Sequence, residues 1–450
     1  MEQRVPSARS SRSSAGPAIL RLNEPCMGGT RAVQARAQSR HEGSPHPEGS
    51  LASHLRLCPR LRPKGCIFAV RAEPPPAGKR RSRAMSLSRR DLITASALLL
   101  AGPAGALRAA DQGAAAGGKP IVLCWNENPY GPSPAARLAV SRAIADGCRY
   151  PDDDEVDALE GALAAHEKID ADSIVTGTGS GELLRALGLL YGRDGAEIIC
   201  AAPTYEELPK YAALRGAALK PVPVDAQLRH DLPAMAGAVT ERTRAIYLCN
   251  PNNPTGTALP AAAVRAFVAA LPEHVVTIVD EAYMDFTVGE DLRSVADLVQ
   301  GKRRVVVLRT FSKIHGMAGL RFGYAITRPD LAETLEDTRM TTPNIYAVRA
   351  ARASLDDKAF LADTRRRILA SRTRITTELG RLGLKFAEPQ GNFVFFDTGM
   401  PLERFTSLMQ ARNILVGRLF PPFATWCRIT IGTEPEVASF LTALRAVKAA

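Results

Sequence analysis

The chain has 450 residues, of which 46% are hydrophobic, enough to bury the cores of two or three domains. Its formal charge of +12 is unevenly spread: residues 1–84 carry 16 Lys+Arg against 5 Asp+Glu, whereas residues 85–450 carry 42 against 41. The body of the chain is therefore close to neutral, which argues against nucleic acid as its partner.

Residues 1–84 are rich in Arg, Ser, Pro and Gly and lack sustained apolar periodicity, so they are expected to be disordered. From Met85 the character changes. The segment SLSRRDLITASALLLAGPAGALRAA sets Arg89 and Arg90 before an apolar run, and residues 85–110 resemble a twin-arginine (Tat) export signal. Gly102, Pro103 and Gly105 make the run a poor membrane span. Such a signal belongs at a chain's start, so Met85 is the expected initiator and residues 1–84 an over-extended gene reading. Export to the periplasm through the Tat translocon is the expected localisation, with the cytoplasm as the alternative.

Residues 111–150 begin as a Gly- and Ala-rich linker and continue into the N-terminal part of a small domain. There a short strand in IVLCW leads through a Pro/Gly/Asn loop to a helix that starts near Ser133 and Pro134. Between residues 151 and 330 short β-rich runs (IVTG, EIICA, AIYLCN, VVTIVD, RVVVLRT) alternate with helical stretches, which predicts a large α/β domain with a mostly parallel sheet flanked by helices. Residues 331–450 read as long charged helices and then a smaller α+β domain, from KFAEPQGNFVFFDTG to WCRITIGT and a closing helix. The cysteines form no C-x-x-C pair and the histidines no H-E-x-x-H, so no metal is expected.

In open α/β sheets ligands gather at the carboxyl ends of the strands. After SIVTG, Ser180 and Gly181 open a helix whose N–H groups suit a phosphate, although such loops are common without one. After AIYLC, Asn253 offers a short amide on a proline-fixed turn. Asp280 ends VVTIV, and its burial is costly unless it meets a cation. A protonated pyridine nitrogen would serve, and so would a structural ion pair or a helix cap. After RVVVLR, Ser312, Lys313 and Arg321 combine a lone amine with phosphate donors, a set able to hold a phosphorylated aldehyde covalently.

Taken together, NENPYGPSP, RYPD, GTGSGE, PNNPTG, DEAYMDF, TFSK...AGLRFGY, GNFVFF and CRITIG occur in the order found in fold-type I pyridoxal phosphate aminotransferases. The resemblance covers about residues 121–445 and is strongest to histidinol-phosphate aminotransferases. It implies Lys313 as the Schiff-base lysine, Asp280 as the partner of the pyridinium nitrogen, and Asn253 and Tyr283 on the ring oxygen. Tyr205 would stack on the ring, and Ser180, Gly181, Ser312 and Arg321 would hold the phosphate. Tyr150 would reach the phosphate from the neighbouring subunit of a homodimer with shared sites. Arg428 would clamp the substrate α-carboxylate, with Asn126 and Asn392 lining the same pocket.

The implied reaction is a ping-pong exchange between an amino acid and a 2-oxo acid. A decarboxylase on the same fold is the first alternative, and a ligand-sensing regulator a remoter one, since residues 1–84 show no helix-turn-helix pattern. Two departures bear on the substrate. DQGAAAGGK stands where many relatives have an aromatic arm, and VGRLFPPFATWC carries Arg418, able to meet an acidic substrate tail.

Overall fold

The computed structural model describes residues 119–449. The expected extension 1–84, the export signal 85–110 and the linker 111–118 lie outside the described residues. Strand β1 (Ile121–Leu123) is followed by helix α1 (Pro134–Ala143), which starts as its sequence predicts: Ser133 accepts a hydrogen bond from the Ala136 N–H, and proline occupies the first turn. Helix α2 (Asp153–Glu167) begins on an Asp152 cap with three acidic residues in its first turn, where they favour the helix dipole.

The sheet elements then follow in order: β2 (Ile174–Gly177), α3 (Ser180–Tyr191), β3 (Glu197–Ala202), α4 (Glu207–Leu214), β4 (Ala218–Pro223), α5 (Leu232–Gly237), β5 (Thr243–Cys249), α6 (Ala261–Ala270), β6 (Val276–Asp280), β7 (Val305–Thr310) and β8 (Gly323–Thr327). They form a seven-stranded sheet of order β2-β8-β7-β6-β5-β3-β4. All neighbours are parallel except β8, which runs antiparallel to both β2 and β7. Side chains of the central strands alternate between two cores, Ile246, Leu248, Val279 and Val307 on one face and Tyr247, Cys249, Ile278 and Val306 on the other. A sheet covered on both faces needs near-continuous apolar strands, which is why these runs were easy to recognise. Two strands were not anticipated. β4 is a largely exposed edge with Pro221 and Pro223, a place where proline is tolerated and alternation weak, and β8 forms the second half of the AGLRFGYAIT segment.

The remaining elements are α7 (Pro329–Thr338), α8 (Ile345–Asp356), α9 (Lys358–Arg381), β9 (Phe393–Asp397), α10 (Leu402–Gln410), β10 (Ile414–Val416), β11 (Trp426–Thr430) and α11 (Glu434–Ala449). β9 pairs antiparallel with β11, and β1 pairs in parallel with β10. Residue 331, the expected start of the small domain, falls inside α7. Ala332 and Leu335 of α7 and Val348 and Ala351 of α8 bury themselves in the two cores of the large sheet. A separate apolar cluster joins Leu123 of β1 to Ile368 of α9, Phe393, Phe405 and Phe440, and takes in Tyr283, Phe286 and Ile314 from the loops that follow β6 and β7. Those loops thus lie where the second core meets the ends of the sheet strands.

Candidate active site

The register of the sheet brings its carboxyl ends level. Cys249 of β5 pairs with Asp280 of β6, and Asp280 with Leu308 of β7. The residues just beyond those ends therefore share one edge. They line a cavity of about 390 Å³ with Lys313, Asp280, Tyr283, Asn253, Asn126, Ser180, Gly181, Tyr205, Ser312, Arg321, Arg418 and Arg428 in its walls. Twelve of the fourteen residues singled out from the sequence are brought together; Tyr150 and Asn392 are not among them.

Lys313 donates from Nζ to the Asn126 carbonyl at 2.9 Å, and lies 5.5 Å from the Tyr283 ring centre. Burial lowers its pKa to about 8, and the charge of Arg428 adds to the effect, so about a tenth of the amine is neutral at pH 7. Asp280 is only 2% exposed. It accepts hydrogen bonds from the Tyr247 hydroxyl (3.0 Å) and the Ala282 N–H (3.1 Å), both neutral donors. Burial raises its pKa to about 6, against the lowering pull of these donors and of Lys313. A buried carboxylate with only neutral partners is a strong acceptor for a cationic ligand atom in the cavity it lines.

Tyr283, packed edge-on against Phe393 at 5.0 Å, accepts at its hydroxyl from Asn126 Nδ2 (3.1 Å) and Asn253 Nδ2 (3.3 Å). Arg428, on β11, donates to Asn253 Oδ1 at 2.6 Å and to the Cys124 carbonyl at 2.7 Å. Its Nε is buried without a partner among the described residues. Burial depresses its pKa, and an anion in the cavity would offset that cost. Asn392, expected in the same pocket, stands behind the wall instead. It is fully buried, and its Nδ2 donates to the carbonyls of Asn126 (3.1 Å) and Glu127 (3.2 Å), so it positions the loop carrying Asn126. Asn126 has a left-handed backbone (φ 54°), a region asparagine tolerates better than most residues.

An anion cradle lies at the start of α3. Gly179 precedes the helix at φ 79°, and a Cβ there would collide with the Arg321 guanidinium. Arg321 also donates to the Ala318 carbonyl (3.0 Å) and approaches Ser312 Oγ at 3.4 Å. Free helix N–H groups, a serine hydroxyl and a guanidinium around one space are the donor set a phosphate takes. Tyr205 is partly exposed at the cavity wall, its pKa pushed up to about 12 by burial of its hydroxyl and by nearby acids. Tyr150 is 90% exposed and lies outside the cavity lining.

Tyr247 belongs to none of the sequence motifs that mark the site. It is a tyrosine in an otherwise aliphatic buried strand, AIYLC, and that lone polar tip in a core strand was the available signal. Tyr247→Phe removes a lowering influence on Asp280. The acid limb of the pH–rate profile is expected to move up by about one unit, the order of a hydrogen bond to a charged group; an unmoved limb would show that the hydroxyl does not tune Asp280.

These residues fit pyridoxal phosphate on structural grounds: an amine of lowered pKa for its aldehyde, a buried carboxylate for its ring nitrogen and a donor cradle for its phosphate. Comparison with known proteins agrees. The family model for aminotransferase class I and II matches residues 118–444. The chain is 38% identical to a histidinol-phosphate aminotransferase of Moorella thermoacetica over 333 residues, covering 73% of this chain and 86% of that one. It is also 38% identical to an aromatic amino acid aminotransferase of Cutibacterium acnes over 345 residues, covering 75% and 95%. The histidinol-phosphate aminotransferase from Sinorhizobium meliloti, solved in complex with pyridoxal-5'-phosphate, superposes with a TM-score of 0.69 at 30% identity, covering 74% of this chain and 91% of that one. With fold, cavity and relatives in agreement, the chain belongs to the class I and II aminotransferase family and is a transaminase that uses pyridoxal 5'-phosphate.

Proposed function

We propose that this transaminase exchanges an amino group between an amino acid and a 2-oxo acid in two half-reactions at one cavity, with Lys313 as covalent anchor and proton carrier. The cofactor supplies an aldehyde for amine exchange and a ring that accepts electrons. Lys313 Nζ, partly neutral near pH 7, takes the proton from the substrate α-carbon. Asp280 would hold a proton on the ring nitrogen of the bound cofactor, and Tyr283 and Asn253 would hydrogen-bond its ring oxygen. Tyr205 would pack against the ring, and Ser180, Gly181, Ser312 and Arg321 would hold the phosphate. Arg428, already aimed by Asn253 and Cys124, clamps the α-carboxylate. The observation that carries this reading is Asp280, buried in the cavity wall with none but neutral hydrogen-bond donors among the described residues.

Purified holoenzyme given an amino donor alone is expected to release about one equivalent of 2-oxo acid per site, and to need a 2-oxo acid acceptor for further turnover. Carbon dioxide release in place of the 2-oxo acid would establish the decarboxylase alternative. A screen of donors, including histidinol phosphate and aromatic amino acids, identifies the substrate, since proteins with both names are similar to this chain.

The shared-site homodimer is part of the same proposal. Tyr150, exposed and outside its own cavity, is the residue expected to serve the neighbouring subunit. A fully active monomer in sedimentation would refute that part. We further propose that residues 85–110 direct Tat export of the folded enzyme, a route that argues against histidinol phosphate as the natural substrate because histidine synthesis is cytoplasmic. Cell fractionation that finds the enzyme wholly in the cytoplasm would reverse both conclusions.

A further inference from the structure

The mouth of the cavity contains a second guanidinium whose charge is already engaged. Arg418 Nη2 donates to Glu206 Oε2 at 2.8 Å, its Nη1 donates to the Leu419 carbonyl at 3.1 Å, and its guanidinium lies 4.4 Å from the Phe420 ring centre. Arg428 lies 5.1 Å from the same ring. Two guanidinium groups thus share one aromatic ring, an arrangement that repels unless a counter-charge is supplied. Among the described residues Arg428 donates to the neutral acceptors of Asn253 and Cys124 alone. Glu206 supplies the carboxylate for Arg418, from outside the cavity lining, while the adjacent Glu207 is committed to Arg185 at 2.6 Å. Around Arg418 the mouth is aromatic, with Trp125, Tyr205 and Phe420 in its walls.

We propose that Glu206 determines which substrate side chains this site prefers: by holding Arg418 in an ion pair at an aromatic mouth, it favours donors with uncharged aromatic or long apolar side chains and disfavours donors with an anionic tail. The inference rests on the transaminase reading of the cavity. An anionic tail must draw Arg418 away from Glu206 and approach that carboxylate as it does so, whereas a neutral side chain meets Phe420 and Trp125 with no pair to break. Both partners are well exposed, 59% for the Arg418 side chain and 67% for that of Glu206, so the bias is moderate and the pair can be opened.

Glutamate and glutamine have the same shape and differ in tail charge, which makes them the probes. With Glu206→Gln holoenzyme, the ratio of kcat/KM for glutamate to that for glutamine is expected to rise about fivefold, the order of one exposed ion pair, with phenylalanine turnover within about twofold of wild type. Glutarate, a dicarboxylate without an amino group, is expected to bind the variant about fivefold more tightly by calorimetry. In an Arg418→Met background the Glu206 substitution is expected to change the glutamate-to-glutamine ratio by less than about twofold, the remainder from direct repulsion between the Glu206 carboxylate and the tail. An unchanged ratio in Glu206→Gln beside normal phenylalanine turnover overturns this inference alone. Failure of every amino acid to yield a 2-oxo acid with wild-type enzyme overturns the transaminase reading and this inference with it.

Discussion

Lys313→Ala is expected to lose turnover by about 10⁴-fold or more and to carry no covalently held cofactor, because the proposed mechanism makes one amine both anchor and proton carrier. The absorbance of the covalent cofactor and the release of 2-oxo acid are the two readouts. A variant retaining more than about one-tenth of the wild-type rate would remove Lys313 from both roles. The pH dependence supplies a check that needs no turnover. Burial, and then the Arg428 charge, place the lysine of the cofactor-free protein near pKa 8. Only the neutral amine attacks an aldehyde. Covalent cofactor uptake by the wild-type protein is therefore expected to slow about tenfold for each pH unit below 8 and to level off above it. A lysine in open solvent would give no plateau until beyond pH 10.

Asp280→Asn is expected to lower turnover by about 10²–10³-fold while keeping the cofactor bound through Lys313 and the phosphate cradle. Asparagine retains the shape of the side chain and loses the charge that stabilises a proton on the ring nitrogen. The same change is expected to act in the opposite direction on stability. The Asp280 carboxyl has a folded-state pKa of about 6 against an ordinary value of 3.8, raised by burial. The native state therefore binds this proton more tightly than the unfolded chain does. The penalty for the buried charge grows as pH rises from about 4 to about 6 and stays constant above that. Cofactor-free Asp280→Asn should melt above the cofactor-free wild type at pH 7–8, by on the order of 2–3 kcal/mol in stability, and the difference should vanish near pH 4. Equal activity in the two proteins would remove Asp280 from the mechanism; equal stability across that range would show that its charge is compensated by groups other than those described.

The legible parts of this protein were those that depend on near neighbours in the chain. The largely buried strands β5, β6 and β7 are built on apolar runs; Asp280 ends β6, and Asn253, Ser312 and Lys313 stand two to four residues beyond the ends of β5 and β7. A parallel sheet aligns strand ends, so order along the chain was enough to gather these residues at one edge. Helix α1 announced itself through Ser133 and Pro134, a cap that acts over three residues.

Other features depend on contacts that no local pattern records. Strand β8 sits between β2 and β7 because the loop holding Lys313 turns the chain back antiparallel, which spacing alone does not specify. Helices α7 and α8 carry ordinary amphipathic faces, and only packing shows that those faces belong to the large sheet. Asn392, expected in the pocket, donates its amide nitrogen to the carbonyls of a loop 265 and 266 residues away. Tyr247 meets Asp280 across neighbouring strands, and Glu206 meets Arg418 across 212 residues. Local propensity and motif order settled which chemistry the chain carries, since strand ends and caps are written in consecutive residues. Tertiary packing decided how that chemistry is tuned, because burial, pKa and counter-charge arise from side chains far apart in the chain and close together in space.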